Sequence, residues 1–358
     1  MRLTSLCVHN HRNLQDVKIE LSDAINALQG DNGAGKTSVL EAIDVLVRGR
    51  SFRTSVTSNL LSKGASELRI NSSILDENKV SRTFGIQKGL DSNQLWVDGE
   101  KVSKQSALSH HLPIILIHPN VNELIAGGPV ERRTYMDWGL FHVEPGFADL
   151  YRNYNRLLAQ RNAAFKQRKA DIIKATSIPL AQYGTRYNSL REAYFSEVSE
   201  LYPHFKQLLA IDTETSLIYN RGWPDSKSLE TQLEQEAVQW TTTRHTQYGP
   251  HRADLTVSWN SHYLASEASR GQQKLLALCL KLTQAYHLMS RAHKTPVLLI
   301  DELPAELDRK RIPLVMNAIK EIGSQVLITC VSREQIQAHC ESPIKWFHVE
   351  HGTIAEMI

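Results

Sequence analysis

Residues 30–37 read Gly-Asp-Asn-Gly-Ala-Gly-Lys-Thr and match the P-loop pattern of phosphate-binding loops. Three glycines allow a tight turn in which backbone N–H groups converge on phosphate oxygens. The helix predicted over residues 36–47 adds the positive end of its dipole. In such loops the lysine reaches the β- and γ-phosphates, and the threonine ligates Mg²⁺. The pattern predicts an ATP site with contacts from Gly30, Asp31, Asn32, Gly33, Ala34, Gly35, Lys36, Thr37 and Ser38.

A second segment, far along the chain, carries the carboxylates that such a site needs. Residues 297–300 are four apolar residues, as expected of a buried parallel strand, and Asp301 and Glu302 follow them. We expect Asp301 to lie beside the P-loop and to hold Mg²⁺ with Thr37. Glu302 would then polarise the attacking water as a general base, with Lys36 as the second catalytic residue.

Strands scattered along the chain must bring these two segments together. The sequence predicts strands over residues 3–8, 17–21, 25–29, 68–74, 80–87, 95–102 and 114–117, with a hairpin turn at Asp98-Gly99. From about residue 144 to 205 apolar residues recur at helical spacing, and Pro179 and Pro203 are expected to punctuate that stretch. Strands return after Thr256 and end in a hairpin-like edge near Gly352. One domain is therefore split by a helical insertion.

Composition limits the class of protein. The chain has 358 residues, of which 41% are apolar and 22% charged, and this is typical of a globular protein with room for two domains. A formal net charge of only +3 means that affinity for nucleic acid must come from local basic patches. The four cysteines show no metal-ligand spacing, and no apolar run resembles a signal peptide or membrane span. We expect a cytoplasmic protein with reduced thiols and no membrane partner.

A third motif, Ser269-Arg270-Gly271-Gln272, precedes an amphipathic helix. Ser269 and Gln272 fit a capping box, which would make the segment only a well-capped helix. The alternative rests on order along the chain, because Ser-x-Gly-Gln, then Asp301-Glu302, then a Leu-Asp loop at residues 306–308 is the arrangement of ABC-type ATPases. A P-loop grips one side of a triphosphate, so a second helix end must cover the γ-phosphate. In that interpretation Ser269, Gly271 and Gln272 would bind ATP held by another subunit.

Linked motifs along nearly the whole chain resemble those of the bacterial RecF family, recombination mediators of the ABC/SMC-like ATPase group. Similar segments are Asn10-His11-Arg12-Asn13-Leu14, residues 49–54, residues 128–133 with Asp137, and residues 249–252 with Asp254. The chain departs from the family at His11, Leu14, residues 118–120 and Ala253, and it carries Asp301-Glu302 in place of Asp-Asp. The resemblance implies an α/β fold: an ABC-type, SMC-like head that is a P-loop ATPase domain with an inserted, mainly helical second domain. The predicted boundaries are 1–143, 144–245 and 246–358.

The resemblance also implies a function. It indicates a slow ATPase with ATP and Mg²⁺ as cofactors, which forms a homodimer on ATP and then binds DNA. Such a protein acts in recombinational gap repair and replication-fork recovery and helps to load recombinase on single-stranded gaps. RecR is an expected partner, and RecO and RecA are expected functional partners. In SMC-like heads the arginine at Arg12 contacts the nucleotide, although a plain surface arginine is equally consistent with the sequence.

Basic residues cluster at two places that could hold DNA. Against one acid, Asp171, residues 152–174 carry Arg152, Arg156, Arg161, Lys166, Arg168, Lys169 and Lys174. Arg50 and Arg53, with Arg48 and Lys63, form a second group after the P-loop helix. Composition alone favours a solvated helix face, whereas the family resemblance favours contacts to phosphates without sequence specificity. We expect duplex or junction binding.

Three other functions are consistent with parts of the pattern. A transporter-type ATPase subunit is disfavoured because Leu-Ser-Gly-Gly-Gln is missing and the inserted region is long and basic. The head of a long SMC tether would need far more heptads than this insertion holds. An SMC-like structural clamp, switched by ATP but with vestigial hydrolysis, is the third, and the role of Glu302 separates it from a true ATPase.

Overall fold

The structure is a computed structural model that describes residues 1–76, 79–259, 262–263, 268–302, 309–340 and 342–357. Its strands are β1 (Arg2–His11), β2 (Leu14–Glu20), β3 (Ile25–Gln29), β4 (Glu67–Leu75), β5 (Ser81–Gly89), β6 (Asn93–Val97), β7 (Glu100–Val102), β8 (Ile114–Ile117), β9 (Thr215–Asn220), β10 (Asp254–Trp259), β11 (His262–Tyr263), β12 (Val297–Ile300), β13 (Val326–Cys330), β14 (Ile344–Glu350) and β15 (Thr353–Met357). Its α-helices are α1 (Lys36–Arg48), α2 (Ser106–His111), α3 (Glu123–Ala126), α4 (Pro129–Val143), α5 (Phe147–Lys166), α6 (Ala170–Leu208), α7 (Leu229–Val238), α8 (Arg270–Ala292), α9 (Ile312–Ile322) and α10 (Glu334–Gln337).

The chain divides into two compact units. Unit 1 comprises residues 1–121, 205–211 and 278–358, and unit 2 comprises residues 122–204 and 212–277. This division differs from the predicted boundaries at 143 and 246, because the flanks of the insertion pack with it. Helix α4 packs against β10, and Arg132 on α4 forms an ion pair of 2.7 Å with Asp254 on β10. Strand β10 also pairs with β9, inside the insertion.

A mostly parallel sheet in unit 1 carries the segments predicted to do chemistry. Its strand order is β15-β14-β3-β13-β12-β8, and all neighbours are parallel except β14 and β15. The predicted bounds of the strands over 25–29, 114–117 and 297–300 are confirmed. Strands β8, β12 and β13 are buried along their whole length, which explains their continuous apolar sequence. The carboxyl ends of β3, β13 and β12 therefore lie side by side.

The second sheet of unit 1 is antiparallel, with the order β2-β1-β4-β5-β6-β7. The turn between β6 and β7 is the predicted Asp98-Gly99 hairpin, and both residues have positive φ angles of 52° and 81°. Strand β4 alternates buried and more exposed residues, as a half-buried strand should. One buried cluster joins this sheet, the parallel sheet and α1. Helix α1 is thus fixed by apolar packing on more than one side.

Unit 2 contains the helices α3, α4, α5 and α7, residues 170–204 of α6, and the small antiparallel sheet β11-β10-β9. The helical prediction is confirmed, but Pro179 and Pro203 do not interrupt it. Both prolines lie inside α6, a single helix of 39 residues. A proline inside a helix removes one backbone hydrogen bond, and here burial of neighbours such as Ile173 and Leu180 outweighs that cost.

Buried ion pairs and polar contacts organise unit 2. Arg191 on α6 pairs with Asp137 on α4 at 2.8 Å, so the family motif residue Asp137 has a structural role. His251 belongs to the family-like segment at residues 249–252 and is partly buried. Its Nδ1 lies 2.7 Å from the Tyr154 hydroxyl, and burial lowers the pKa of His251 to about 4. His251 is therefore neutral at physiological pH.

From the sequence we expected reduced thiols and no membrane span. All four cysteines lie within the described residues and are free thiols. Burial raises the pKa of Cys279 to about 12 and that of Cys330 to about 11, so both stay protonated. Among the described residues, no helix is both long and apolar enough to cross a membrane.

Candidate functional site

The P-loop runs from the end of β3 to the start of α1, as predicted. Gly30 passes so close to β14 that a Cβ atom there would lie 2.2 Å from the Val349 carbonyl oxygen. Gly35 has a φ of 121°, and a Cβ there would lie 2.9 Å from the Asn13 side chain. Both positions therefore require glycine. The neighbouring strand β14 and the Asn13 side chain therefore help to determine the shape of the loop.

Lys36 and Asn13 hold the loop from opposite directions. The Lys36 ammonium group donates to the carbonyl oxygens of Gly30 at 2.7 Å and Asp31 at 3.0 Å. Asn13 donates to the Ala34 carbonyl at 3.0 Å and accepts from the Ser38 hydroxyl at 3.0 Å. These contacts preorganise the loop for an anion. Asp31 and Asn32 are exposed, so their side chains do not shape its interior.

Thr37 contacts Asp301, which lies 264 positions later in the sequence. The Thr37 hydroxyl lies 3.0 and 3.1 Å from the two Asp301 carboxylate oxygens. Burial raises the pKa of Asp301, although hydrogen bonds from Thr329 and Thr37 oppose that shift. A buried carboxylate beside a hydroxyl is a fitting pair of oxygen ligands for Mg²⁺, which completes its shell with phosphates and water. The described residues contain no group of three or more His, Cys, Asp or Glu that could hold a metal alone.

Thr329, on the strand between β3 and β12, joins the two predicted carboxylates. Its hydroxyl donates to Asp301 at 2.9 Å and accepts from the Glu302 N–H at 2.8 Å. Glu302 has a φ of 57°, which is uncommon for a residue with a side chain. This backbone turn places Glu302 in the wall of the same pocket as Lys36 and Thr37. The predicted catalytic pair is thus brought together.

The pocket over the P-loop is open and has a volume of about 440 Å³. Its lining includes two arginines, Arg12 and Arg53. The sequence left Arg12 as either a nucleotide contact or a plain surface residue, and it lies in the pocket wall. Arg53, which was predicted to bind DNA, also lines this pocket, and its side chain is 46% exposed. Arg50, its neighbour in sequence, is exposed.

Both arginines point to a buried carboxylate that the sequence analysis did not single out, Glu41 on α1. Arg12 donates to it twice, at 2.8 and 2.7 Å, and an Arg53 nitrogen lies 3.7 Å from it. Burial by itself raises the pKa of Glu41. Hydrogen bonds from His11, Arg12 and Ser51 outweigh burial and lower that pKa to about 2. Glu41 is therefore ionised at neutral pH.

The predicted capping box at the start of α8 is present. The Ser269 N–H donates to the Gln272 side chain at 2.9 Å, and the Gln272 N–H donates to the Ser269 hydroxyl at 3.3 Å. Ser269, Gly271 and Gln272 are all exposed. Among the residues that the structure describes, a Cβ at Gly271 would meet no atom within 4 Å. The predicted Leu-Asp loop at residues 306–308 lies outside the described residues.

The basic cluster in unit 2 is exposed except at one position. Arg161 is fully buried and donates to Glu236 at 2.7 Å and to the Leu233 carbonyl at 2.7 Å. The prediction that Arg161 binds DNA is therefore wrong: it is an interior residue that ties α5 to α7. Arg152 is exposed but pairs with Asp149 at 2.8 Å. The remaining exposed members are Arg156, Lys166, Arg168, Lys169 and Lys174.

The site residues missed by sequence reasoning share one property, which is that their partners are distant along the chain. Thr329 acts on a carboxylate 28 residues away, and Glu41 acts on Arg12 from 29 residues away. Asn13 was quoted only as part of a motif. A polar residue inside an otherwise apolar strand or helix face was the one available signal, and both Thr329 and Glu41 carry it.

Known proteins match this chain over nearly its whole length. A family model described as the RecF/RecN/SMC N terminal domain matches residues 2–355. The DNA replication and repair protein RecF of Thioalkalivibrio sulfidiphilus is 36% identical over 356 residues, covering 99% of each chain. RecF of Vibrio parahaemolyticus is 34% identical over 358 residues, again covering 99% of each chain.

Solved structures give a similar result. The structure of the recombination mediator protein RecF-ATPrS in the RecFOR pathway has a TM-score of 0.87 and 26% identity, and the match covers 100% of this chain and 98% of that one. The RecF-ATP structure also has a TM-score of 0.87 at 26% identity, covering 99% of this chain and 97% of that one. The SMC head bound to the C-winged helix domain of ScpA has a TM-score of 0.64 at 16% identity, covering 100% of this chain and 97% of that chain. It shows the shared fold alone.

The Thr329 contacts lead to the first prediction. Thr329→Val keeps the side-chain shape but removes a hydrogen bond that lowers the pKa of Asp301, so protonated Asp301 persists to higher pH. We expect Mg²⁺-dependent ATP hydrolysis to fall about 10-fold, as for other residues that orient metal ligands, and its acidic limb to move to higher pH. Steady-state hydrolysis measured against Mg²⁺ concentration and pH checks this.

Thr329→Ser is the matched control, since it keeps the hydroxyl and should retain near wild-type hydrolysis. Equal activity of the valine and serine variants would show that the hydroxyl has no part in holding the carboxylates.

Proposed function

Because the chain belongs to the RecF family within the RecF/RecN/SMC group, we propose that it is an ATP-dependent DNA-binding protein of DNA replication and repair that acts as a recombination mediator. The observation that carries this proposal is the meeting of Thr37 and Asp301, which joins the P-loop to the strand with the acidic pair. A binding protein without nucleotide chemistry would not need that arrangement.

ATP with Mg²⁺ is the proposed ligand of the pocket. The P-loop N–H groups, Lys36 and the start of α1 supply the positive field for a polyphosphate. Thr37 and Asp301 would hold Mg²⁺, which neutralises charge on the bridging phosphate oxygens when bound. The Lys36 contacts to Gly30 and Asp31 are to carbonyl oxygens that a phosphate can replace. The likeness to structures of RecF with ATP and with ATPrS supports this choice.

Hydrolysis is proposed to be slow and to depend on Glu302. Its carboxylate in the pocket wall is suited to orient and deprotonate a water aimed at the γ-phosphate. Lys36 would stabilise the charge that develops on the transferred group. ATP would thereby act as a switch for assembly and DNA binding. If Glu302→Gln changes neither turnover nor the lifetime of the dimer, Glu302 is not the general base.

A second copy of the chain is proposed to complete the site. The pocket over the P-loop is open, so one side of a bound triphosphate would face solvent. The exposed start of α8 offers a serine hydroxyl, backbone N–H groups and the positive end of a 23-residue helix. Ser269, Gly271 and Gln272 of one copy would cover the γ-phosphate held by the other. ATP would then hold the homodimer together, and hydrolysis would release it.

DNA is proposed to lie on the exposed basic residues of unit 2, which are Arg152, Arg156, Lys166, Arg168 and Lys169. Arg50 of unit 1 is proposed as a separate DNA contact, whereas Arg53 is proposed to serve the nucleotide pocket that it lines. Arg161 is excluded because it is buried. The proposed contacts are point charges on helices and a turn, without a recognition helix or stacking sheet. Binding would therefore follow the shape and charge of single-/double-stranded junctions and be sensitive to salt.

The process and partners follow from the family. We propose action in recombinational gap repair and replication-fork recovery, including help in loading recombinase onto single-stranded gaps. RecR would be a direct partner, with RecO and RecA as functional partners, in agreement with the RecFOR pathway given for the matched structures. The proposed location is the cytoplasm, without a membrane partner.

Mixing two inactive variants tests the two-subunit site. Lys36→Met disables the P-loop, and Ser269→Arg blocks the helix end that acts on the other subunit. Each alone should hydrolyse little ATP. An equal mixture should regain about a quarter of the wild-type rate, because half of the dimers are mixed and each has one complete site of two. Steady-state hydrolysis after mixing measures this recovery.

Lys36→Met mixed with Glu302→Gln is the matched control. Both changes lie on the P-loop side, so no mixed dimer holds a complete site and the rate should stay low. If Ser269→Arg alone hydrolyses ATP normally, the serine only caps α8 and the two-subunit site is excluded.

Neutralising Lys166, Arg168 and Lys169 to alanine tests the DNA surface. We plot the logarithm of the DNA-binding constant against the logarithm of the salt concentration. Each lost phosphate contact should make this negative slope shallower by about 0.9, so the triple change should make it shallower by up to about 3. DNA titrations at several salt concentrations with ATP give this slope. Arg161→Met should leave the slope unchanged and instead lower the free energy of unfolding by about 3 kcal/mol, because Glu236 stays buried without its partner. An unchanged slope in the triple variant would exclude this surface.

A further inference from the structure

Glu41 lies beneath the pocket in a position that the proposed chemistry does not yet use. It sits on α1, four residues after Thr37 at the end of the P-loop, and its side chain is fully buried. The carboxylate receives groups from two separate chain segments, the β1–β2 turn and the loop after α1. Each segment also places an arginine in the pocket wall.

The β1–β2 turn is fixed through Arg12. Its Nε donates to one Glu41 oxygen at 2.8 Å, and its Nη2 donates to the other at 2.7 Å. This side-on pairing leaves Nη1 without a hydrogen bond to the described residues. Arg12 has a φ of 57°, so its backbone adopts a turn that its neighbours must enforce. Its guanidinium therefore has a fixed direction and free donors at the pocket.

The loop after α1 is fixed through Ser51. The Ser51 hydroxyl donates to Glu41 and accepts the N–H groups of Arg53 at 2.8 Å and Thr54 at 3.3 Å. The Arg53 guanidinium reaches to within 3.7 Å of the same carboxylate. Glu41 thus holds both the backbone and the side chain of the segment that presents Arg53.

Asp44 lies one turn further along α1 than Glu41 and is a second buried carboxylate on that helix. It is also buried and also pairs with an arginine, Arg48, but Arg48 does not line the pocket. Burial raises the pKa of Asp44, although Arg48 and the Phe52 N–H oppose that shift. Asp44 therefore contacts the same loop from outside the pocket. The two carboxylates differ in whether their arginines face the phosphate site.

We propose that Glu41 is a positioning residue that fixes Arg12, and with it Arg53, as preformed contacts for the polyphosphate of the bound nucleotide. The proposal rests on the proposed ATP-binding function. Two guanidinium groups and one carboxylate leave one net positive charge here, so the positive field of the pocket survives. Side chains that are already fixed in place lose little conformational entropy when the nucleotide binds, so the affinity for the nucleotide is higher. Without Glu41, the two arginines would repel each other and leave these orientations.

A double-mutant cycle tests this role. ATP affinity with Mg²⁺ is measured by calorimetric titration for the wild type, Glu41→Gln, Arg12→Met and the double variant. We expect Glu41→Gln to weaken binding about 10-fold, although it removes a negative charge near an anion. The double variant should lose clearly less affinity than the product of the two single losses, because Glu41 acts in part through Arg12 and in part through Arg53.

Asp44→Asn provides the control, since its effect on ATP affinity should be small and additive with Arg12→Met. Additive losses for Glu41→Gln, or unchanged or tighter ATP binding, would overturn the positioning role. Wild-type protein that binds no ATP would overturn the proposed function itself. If Glu41→Gln does not fold, Ser51→Ala tests the same arrangement, and its loss of affinity should vanish in an Arg53→Met background.

Discussion

The contact between the Thr37 hydroxyl and the Asp301 carboxylate is the interaction on which the site depends. It exists because the parallel strands β3, β13 and β12 end at one edge of the sheet. Thr329 stands between them and fixes Asp301 and the Glu302 backbone. Burial of Asp301 raises its pKa, so the ionised form costs folding free energy at neutral pH until a cation binds. This cost is consistent with the Mg²⁺ site that we propose at this edge.

Two buried carboxylates frame the pocket, and their pKa values shift in opposite directions. Glu41 already has three hydrogen-bonding partners, and its pKa is lowered to about 2. Among the described residues, the side chain of Asp301 accepts hydrogen bonds from the Thr37 and Thr329 hydroxyls, and burial raises its pKa. Glu41 is thus an anion paired with arginine, whereas Asp301 is the carboxylate that we propose as a ligand for Mg²⁺.

Much of unit 1 could be predicted from the sequence, because many of its strands and turns are marked by short runs of neighbouring residues. Four apolar residues before Asp301 predict β12, and Asp98-Gly99 predicts a hairpin. Long-range features were beyond such reasoning. Charge pattern cannot reveal that Arg161 turns inward to Glu236, and the prolines of α6 are tolerated because tertiary burial outweighs local propensity. The sequence also does not show that Arg53 lines the pocket, because it does not reveal how the loop after α1 folds.

The most direct test is the Mg²⁺ dependence of ATP binding by the wild type and Asp301→Asn. Mg²⁺ should strengthen ATP binding to the wild type and have little effect on the variant, since an amide is a weaker ligand than a carboxylate. Without nucleotide, Asp301→Asn should unfold at the same or a higher temperature, because a buried charge is removed. A variant that keeps the full Mg²⁺ effect would contradict a metal site formed by Thr37 and Asp301.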